Sequence, residues 1–327
     1  MKVRQAMRLA RPFTLLPPLL GILSGAACAF GSVHNPDPAR RVTGELLGIV
    51  ALGSFCASLL NAASNVLNQI TDLEVDRVNK PDRPLVTGEV SLAAAWRLTW
   101  TLYVLALVPT WWIVVPRPPG LLARAAAPLA DHQCFFLFLA GLVATLIYSS
   151  PLFGRTKRLG IWANVTIAIP RGCLLKVAGW TLVASAFSAE PWAIGSIFGL
   201  FLVGATSTKD LSDAEGDRAG GCMTLPVKYG NHRAVAIISP FFVLPWLLLP
   251  VLARTPDPAA GAHRLLSGNP ALLTALGLLL AAWGAYTVHL LRENPDELAT
   301  TENHPSWTHM YLMLMLAQIG FAAAYLL

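Results

Sequence analysis

Long apolar runs broken by charge, proline or glycine recur along the chain. They fall at about Pro12 to Phe30, Leu46 to Leu67, Leu92 to Val115, Cys134 to Tyr148, Ile161 to Val183, Trp192 to Thr208, Ala234 to Leu252, Pro270 to Leu291 and Thr308 to Leu327. A helix rises 1.5 Å per residue, so about 20 apolar residues cross a hydrocarbon core of roughly 30 Å. The pattern predicts nine membrane-spanning helices, the fourth short and the fifth interrupted by Pro170, Arg171 and Lys176. The expected fold class is an all-α polytopic membrane protein, with residues 1–327 forming a single membrane domain. The first run carries a basic flank and small residues near Gly25 to Ala29, as a signal peptide would. The Pro17-Pro18 pair interrupts that run, and the later spans make cleavage unnecessary for membrane entry, so it reads as a retained span.

Composition sharpens the class. Of 327 residues, 55% are hydrophobic and only 13% charged, against roughly 25% charged in soluble domains. That balance rules out a disordered chain and argues against a soluble enzyme. The net charge of +6 comes without a long basic run or an aromatic-interleaved basic stripe, so no nucleic-acid partner is expected. The bilayer is the expected partner. Fifteen of the 24 Lys and Arg residues fall in the segments that share a side with the amino end, against six on the other side. This bias predicts an inner-membrane protein with the amino end cytoplasmic and the carboxyl end outside. The five cysteines are scattered, with no CxxC pair, and read as core thiols.

Half of the 18 acidic residues fall in two short windows, both on the predicted cytoplasmic side. In NQITDLEVD, residues Asn68, Asp72 and Asp76 stand at i, i+4 and i+8, within about 80° of a helix circumference. In KDLSDAEGDR, residues Asp210, Asp213 and Asp217 lie within about 60° of one another. Like charges so placed repel, and far more strongly where a membrane interface removes water, so a cation should neutralise them. A single DxxxD is ordinary helix surface, but two in a chain this poor in charge point to a metal site. No His or Cys stands at ligand spacing nearby, which leaves an all-oxygen set suited to Mg²⁺ and completed by phosphate oxygens. Lys157, Arg158, Lys209, Arg218 and Lys228 share the predicted side and can meet the remaining phosphate charge. Arg171 and Lys176 lie inside a span, at a cost of roughly 3 kcal/mol each. Two readings stay open for them: binding of an anionic acceptor, or snorkelling of Lys176 with one pairing inside the bundle. Pro170 and Gly172 can open the backbone there. No histidine pairs with a Ser or Cys in a nucleophilic arrangement.

These windows resemble the motifs of the UbiA-type intramembrane prenyltransferases. NVLNQITDLEVDRVNKPDRPLVTGEVS is similar to that family's NxxxDxxxD and NKPxRPLxxG segments, and KDLSDAEGDRAGGCMTLPVKYG to its second DxxxD segment with EGD and TLPVxxG. YSSPLFGRTKRLG resembles its YSxP..xKR loop, and RLARPFTLLPP its amino-terminal RP helix. The resemblance implies two pseudo-equivalent four-helix groups, 12–150 and 161–291, plus a ninth helix at 308–327, around a cavity capped at the cytoplasmic face. It implies Mg²⁺-dependent transfer of a prenyl group from an isoprenoid diphosphate to a lipophilic acceptor: an aromatic, a quinone precursor, a tetrapyrrole or a glycerol phosphate. Asn68, Asp72 and Asp76 match the first motif; Asp213 and Asp217 match the second, with Asp210 one turn earlier; Lys157 matches a diphosphate contact. Tyr148 and Trp180 are candidate walls for the allylic cation. Many members have Asp where this chain has Gln69, which at about 100° from Asn68 points off the metal face. A membrane terpene cyclase is the competing enzyme class. A transporter is disfavoured, because both acidic windows are predicted at one face and not at the midplane.

Overall fold

The computed structural model describes residues 1–257, 263–299 and 304–327. Its long helices are α1 (Pro12–Gly31), α2 (Gly44–Thr71), α3 (Leu92–Trp112), α4 (Gln133–Ser149), α5 (Ile161–Trp180), α6 (Ala189–Ser212), α7 (Asn231–Leu252), α8 (Pro270–Glu293) and α9 (Pro305–Leu326). Eight are long and apolar enough to cross a bilayer, while α4 has only 17 residues, about 26 Å at the α-helical rise. Helix ends follow local chemistry. The Thr43 hydroxyl accepts from Leu46 N–H at 3.1 Å to open α2, and the Asn269 amide oxygen accepts from Ala271 N–H at 3.0 Å to open α8.

Two boundaries differ from the apolar pattern in a way that matters. α6 runs on to Ser212, past the expected end at Thr208, and so carries Lys209 and Asp210 in its last turn. α5 ends at Trp180, before the expected Val183, and passes through a π-helical turn at Ile169–Leu174. That turn holds Pro170, which has no N–H to donate, and Gly172, where an added Cβ would sit 2.6 Å from the Gly199 Cα of α6. α1 and α5 also cross at close range, since a Cβ on Gly25 would lie 2.5 Å from the Lys176 carbonyl oxygen.

Phe198, Phe201, Trp246, Phe242 and Phe321 fill the interior between α6, α7 and α9. Phe198 and Trp246 meet edge to face at 5.8 Å. The outer surface is apolar instead of charged: Phe55, Trp100, Leu244 and Leu278 all stand exposed on spans. An apolar exterior wrapped around helices of this length suits lipid and not water, and the chain is an integral membrane protein. Short helices gather at one end of the bundle. Val3–Ala10 folds onto α2, whose Gln69 amide donates to Leu9 O and whose Asn65 amide donates to Ala10 O, each at 2.8 Å. Leu73–Asn79 follows α2 and Ala214–Ala219 follows α6, and these two pack on each other.

Candidate active site

Each acidic window breaks at its middle aspartate. α2 ends at Thr71, Asp72 adopts φ −103° and ψ 13°, and the short helix Leu73–Asn79 follows. α6 ends at Ser212, and Asp213 repeats this geometry at φ −97° and ψ 5° before Ala214–Ala219. The continuous helical faces expected from i, i+4, i+8 spacing in the first window and i, i+3, i+7 in the second are therefore interrupted, each by a helix–turn–helix corner. This bridge region is where turn residues and many active-site residues sit. Asn79 fixes the corners against each other: its Nδ2 donates to Asp213 O at 3.2 Å, and its Oδ1 accepts from Gly216 N–H at 3.1 Å. Glycine at 216 leaves room for this contact, because a Cβ there would fall 2.2 Å from Asn79 Oδ1 and push that side chain aside. The two acidic segments meet across one space.

That space is a cavity of about 480 Å³. Asn68, Asp72, Asp76, Asp210, Asp213 and Asp217 line one end of it, together with Arg11, Lys80, Arg83, Lys157 and Lys209. Leu60, Phe138, Ile167, Leu174, Ala178 and Leu314 carry the wall onward as an apolar groove. Cations hold the carboxylates in place. Asp72 pairs with Lys157 and, at 3.4 Å, with Arg155; Asp76 pairs with Arg83; Asp213 lies 3.9 Å from Lys80. Ser149 Oγ donates to Asn68 Oδ1 at 3.1 Å. Burial pushes the Asp76 carboxyl above its ordinary range despite Arg83. Burial, and then the negative charge of Asp213, push Asp217 up to about 7. Among the described residues no three His, Cys, Asp or Glu side chains converge at ligand distance. The donors are amide and carboxylate oxygens only, which fits Mg²⁺, an ion that takes one or two carboxylates and completes its shell with water and phosphate oxygens.

Several candidates stand elsewhere. Arg158 is exposed and donates to Gly220 O at 3.0 Å; Arg218 is exposed; Lys228 is exposed and lies over the ring of its neighbour Tyr229 at 5.0 Å. None of the three lines the cavity. Lys176 neither snorkels nor reaches the cavity: it is 2% exposed, with Nζ 4.2 Å from the Phe198 ring centre. It leaves the helix on a different side from Arg171, which does line the cavity. Trp180 is buried in the packing and donates to Ser185 O at 3.1 Å, while Tyr148 does reach the wall. Gln69 is buried against the amino-terminal helix, away from the carboxylates.

Charge counting passed over Asn79, Lys80 and Arg83, although all three sit in the NKPDRP stretch that follows the first window. Arg11 and Arg155 carry a signal that no sequence displays. Both hold positive φ, 56° and 44°, a strained conformation for a residue with a side chain. One lines the cavity and the other meets Asp72.

The sequence profile of the UbiA prenyltransferase family matches residues 16–304. The digeranylgeranylglyceryl phosphate synthase of Methanoculleus marisnigri is 27% identical over 233 residues, covering 71% of this chain and 71% of its own. The bacteriochlorophyll synthase 34 kDa chain of Chloroflexus aurantiacus is 27% identical over 322 residues, covering 98% of this chain and 90% of its own. A solved UbiA homolog from Archaeoglobus fulgidus, bound to DMAPP and Mg²⁺, shares the fold with a TM-score of 0.60 at 19% identity, over 97% of this chain and 99% of that one. The profile match starts in α1 and takes in both acidic corners, the Lys157 loop and the whole of α8; the chain belongs to the UbiA prenyltransferase family.

Proposed function

We propose that the cavity transfers a prenyl group from an isoprenoid diphosphate to a lipophilic acceptor and releases diphosphate. The observation that carries this reading is the junction of two acidic corners with an apolar groove in one membrane-embedded space. Breaking an allylic C–O bond puts negative charge on the diphosphate and positive charge on the prenyl carbon. Asp72 and Asp76 from one corner and Asp213 and Asp217 from the other would hold Mg²⁺, with Asn68 and Asp210 as flanking donors. When bound, Mg²⁺ supplies Lewis-acid charge to the leaving group, worth several kcal/mol. Lys157 and Arg83, already at the rim, donate to the remaining diphosphate oxygens and hold them in one orientation. The groove takes the tail, and Phe138 and Tyr148 offer π faces to the cation where water is scarce.

Orientation follows from charge. Arg8, Arg11, Lys80, Arg83, Arg155 and Lys157 cluster at the acidic end of the bundle, so we place that end and the amino terminus in the cytoplasm. The two corners occupy matching positions, each after the second helix of its group, and this supports reading 12–150 and 161–291 as equivalent halves beside 308–327. The test is purified protein in detergent with Mg²⁺, geranylgeranyl diphosphate and a panel of acceptors. Acceptor-dependent diphosphate release, with a product heavier than the acceptor by one prenyl group, supports the transferase. A cyclic hydrocarbon or alcohol formed without acceptor would make the chain a cyclase. Absence of metal-dependent release with every acceptor would sink both.

A further inference from the structure

Polar residues on the cavity wall are mostly satisfied by neighbours: the Asn61 amide donates to Thr14 O at 2.9 Å, and Asn164 to Val203 O at 2.9 Å. Arg171 and Gln318 are exceptions to that rule. Arg171 is an exposed residue on the cavity wall and, among the described residues, has neither a hydrogen bond nor an ion pair. Gln318 of α9 is 4% exposed and also lines the cavity, and among the described residues its Oε1 has no partner. An unpaired charge inside a span costs roughly 3 kcal/mol on insertion scales, and an unpaired buried amide costs as well. Groups retained at such a cost in a cavity are there to meet something that binds in it.

The backbone is shaped to present them. Arg171 rides on the π-helical turn Ile169–Leu174, a local widening of the kind that recurs at functional positions. Gly172, next to it, lets α5 press against α6 while Arg171 faces the cavity. One turn on, Leu175 packs at Gly21, where an added Cβ would meet Leu175 Cδ2 at 2.4 Å and Gln318 Nε2 at 3.7 Å. Gln318 therefore lies beside Leu175, one turn along α5 from Arg171, and both line the same cavity. The Arg171 Cα lies ten residues into α5, about 15 Å along the helix axis from Ile161, and its charge is close enough to act on Arg11 and Tyr148.

We propose that Arg171 and Gln318 form a head-group subsite for the acceptor, and that the acceptor is a lipophile bearing an oxyanion, either carboxylate or phosphate. This deepens the transferase reading and rests on it for the word acceptor. The planar guanidinium offers two parallel N–H bonds to such an oxyanion, a geometry a lysine does not reproduce. The Gln318 amide then meets a neighbouring hydroxyl or carbonyl of the same molecule.

Native mass spectrometry of the detergent-solubilised full chain, in EDTA, reads the subsite without catalysis. The probes are dodecyl phosphate, 4-dodecyloxybenzoate and dodecanol. Wild-type protein should bind at least one of the anions about tenfold or more tighter than dodecanol, and Arg171→Gln should weaken that anion about 10- to 100-fold while leaving dodecanol alone. Arg171→Lys should recover part of the loss, and Gln318→Leu should cost about three- to tenfold. The anion that suffers more names the source, carboxylate or phosphate. Equal binding of anions and dodecanol, or anion binding unchanged in Arg171→Gln, overturns the subsite. Arg171 is exposed, so its replacement leaves no hole in the packing. Arg171-dependent anion binding without prenyl transfer to any acceptor leaves the subsite standing and removes the transferase. Transfer with an acceptor KM unchanged in Arg171→Gln does the reverse.

Discussion

Asn79→Ala removes the stitch between the two acidic corners without touching a carboxylate. The Asn79 side chain makes one hydrogen bond to Asp213 O at 3.2 Å and one from Gly216 N–H at 3.1 Å. At about 1 kcal/mol each, the two hold the corners together by about 2 kcal/mol. If that energy keeps the carboxylates in reacting geometry, its loss lowers kcat/KM by about 30-fold, since each 1.4 kcal/mol is a factor of ten. The spans do not depend on Asn79, so thermal unfolding of the purified variant should shift by only a few degrees. Gly216→Ala should reach the same defect from the other partner, because its Cβ would overlap the Asn79 amide at 2.2 Å. The pair should be less than additive, as both substitutions break one contact. The assay is Mg²⁺-dependent diphosphate release at matched protein folding. Activity within threefold of wild type in Asn79→Ala would refute the idea that the corners are held in register by this contact.

Asp217, raised to about 7 by burial and Asp213, keeps its proton below that pH, and a protonated carboxyl cannot bind metal. The Mg²⁺ concentration for half-maximal activity should therefore rise up to tenfold per pH unit below 7 and level off above it, and Asp217→Asn should flatten the profile along with lowering activity. A wild-type profile flat between pH 5.5 and 8 contradicts this. Lys176→Met should raise the unfolding temperature by several degrees. The Phe198 face at 4.2 Å offsets about 1–2 kcal/mol of a desolvation cost of several kcal/mol. A lower unfolding temperature in that variant would mean that Lys176 has a stabilising partner.

The spans were legible because lipid leaves no alternative to long apolar helices: α1, α2 and α8 start or end within a few residues of their apolar runs. The acidic windows were legible because charge is scarce. The breaks at Asp72 and Asp213 were not, since i, i+4, i+8 and i, i+3, i+7 spacings each read as one straight face, and the contact that joins the two segments, from Asn79 to Asp213, spans 134 residues of sequence. The cations divided for a similar reason. Lys157 and Lys209 reach the cavity, whereas Arg158 and Arg218, equally close in sequence to the motifs, turn to the surface. Closeness to a motif can be read from sequence, but direction around a helix end cannot. Lys176 and Arg171, alike in composition terms, part because they stand five residues apart, about 140° around a helix, so that Arg171 meets the cavity and Lys176 the Phe198 ring.

The most direct measurement is binding of a non-reactive thiolo analogue of geranylgeranyl diphosphate to the wild-type chain and to Asp72→Asn and Asp213→Asn, each with and without Mg²⁺. If both corners grip the same diphosphate, Mg²⁺ tightens binding to wild type by two orders of magnitude or more, and either single substitution removes most of that gain. A variant of either corner that keeps the full Mg²⁺ effect would show that one acidic segment acts alone, and the two-corner account would be wrong.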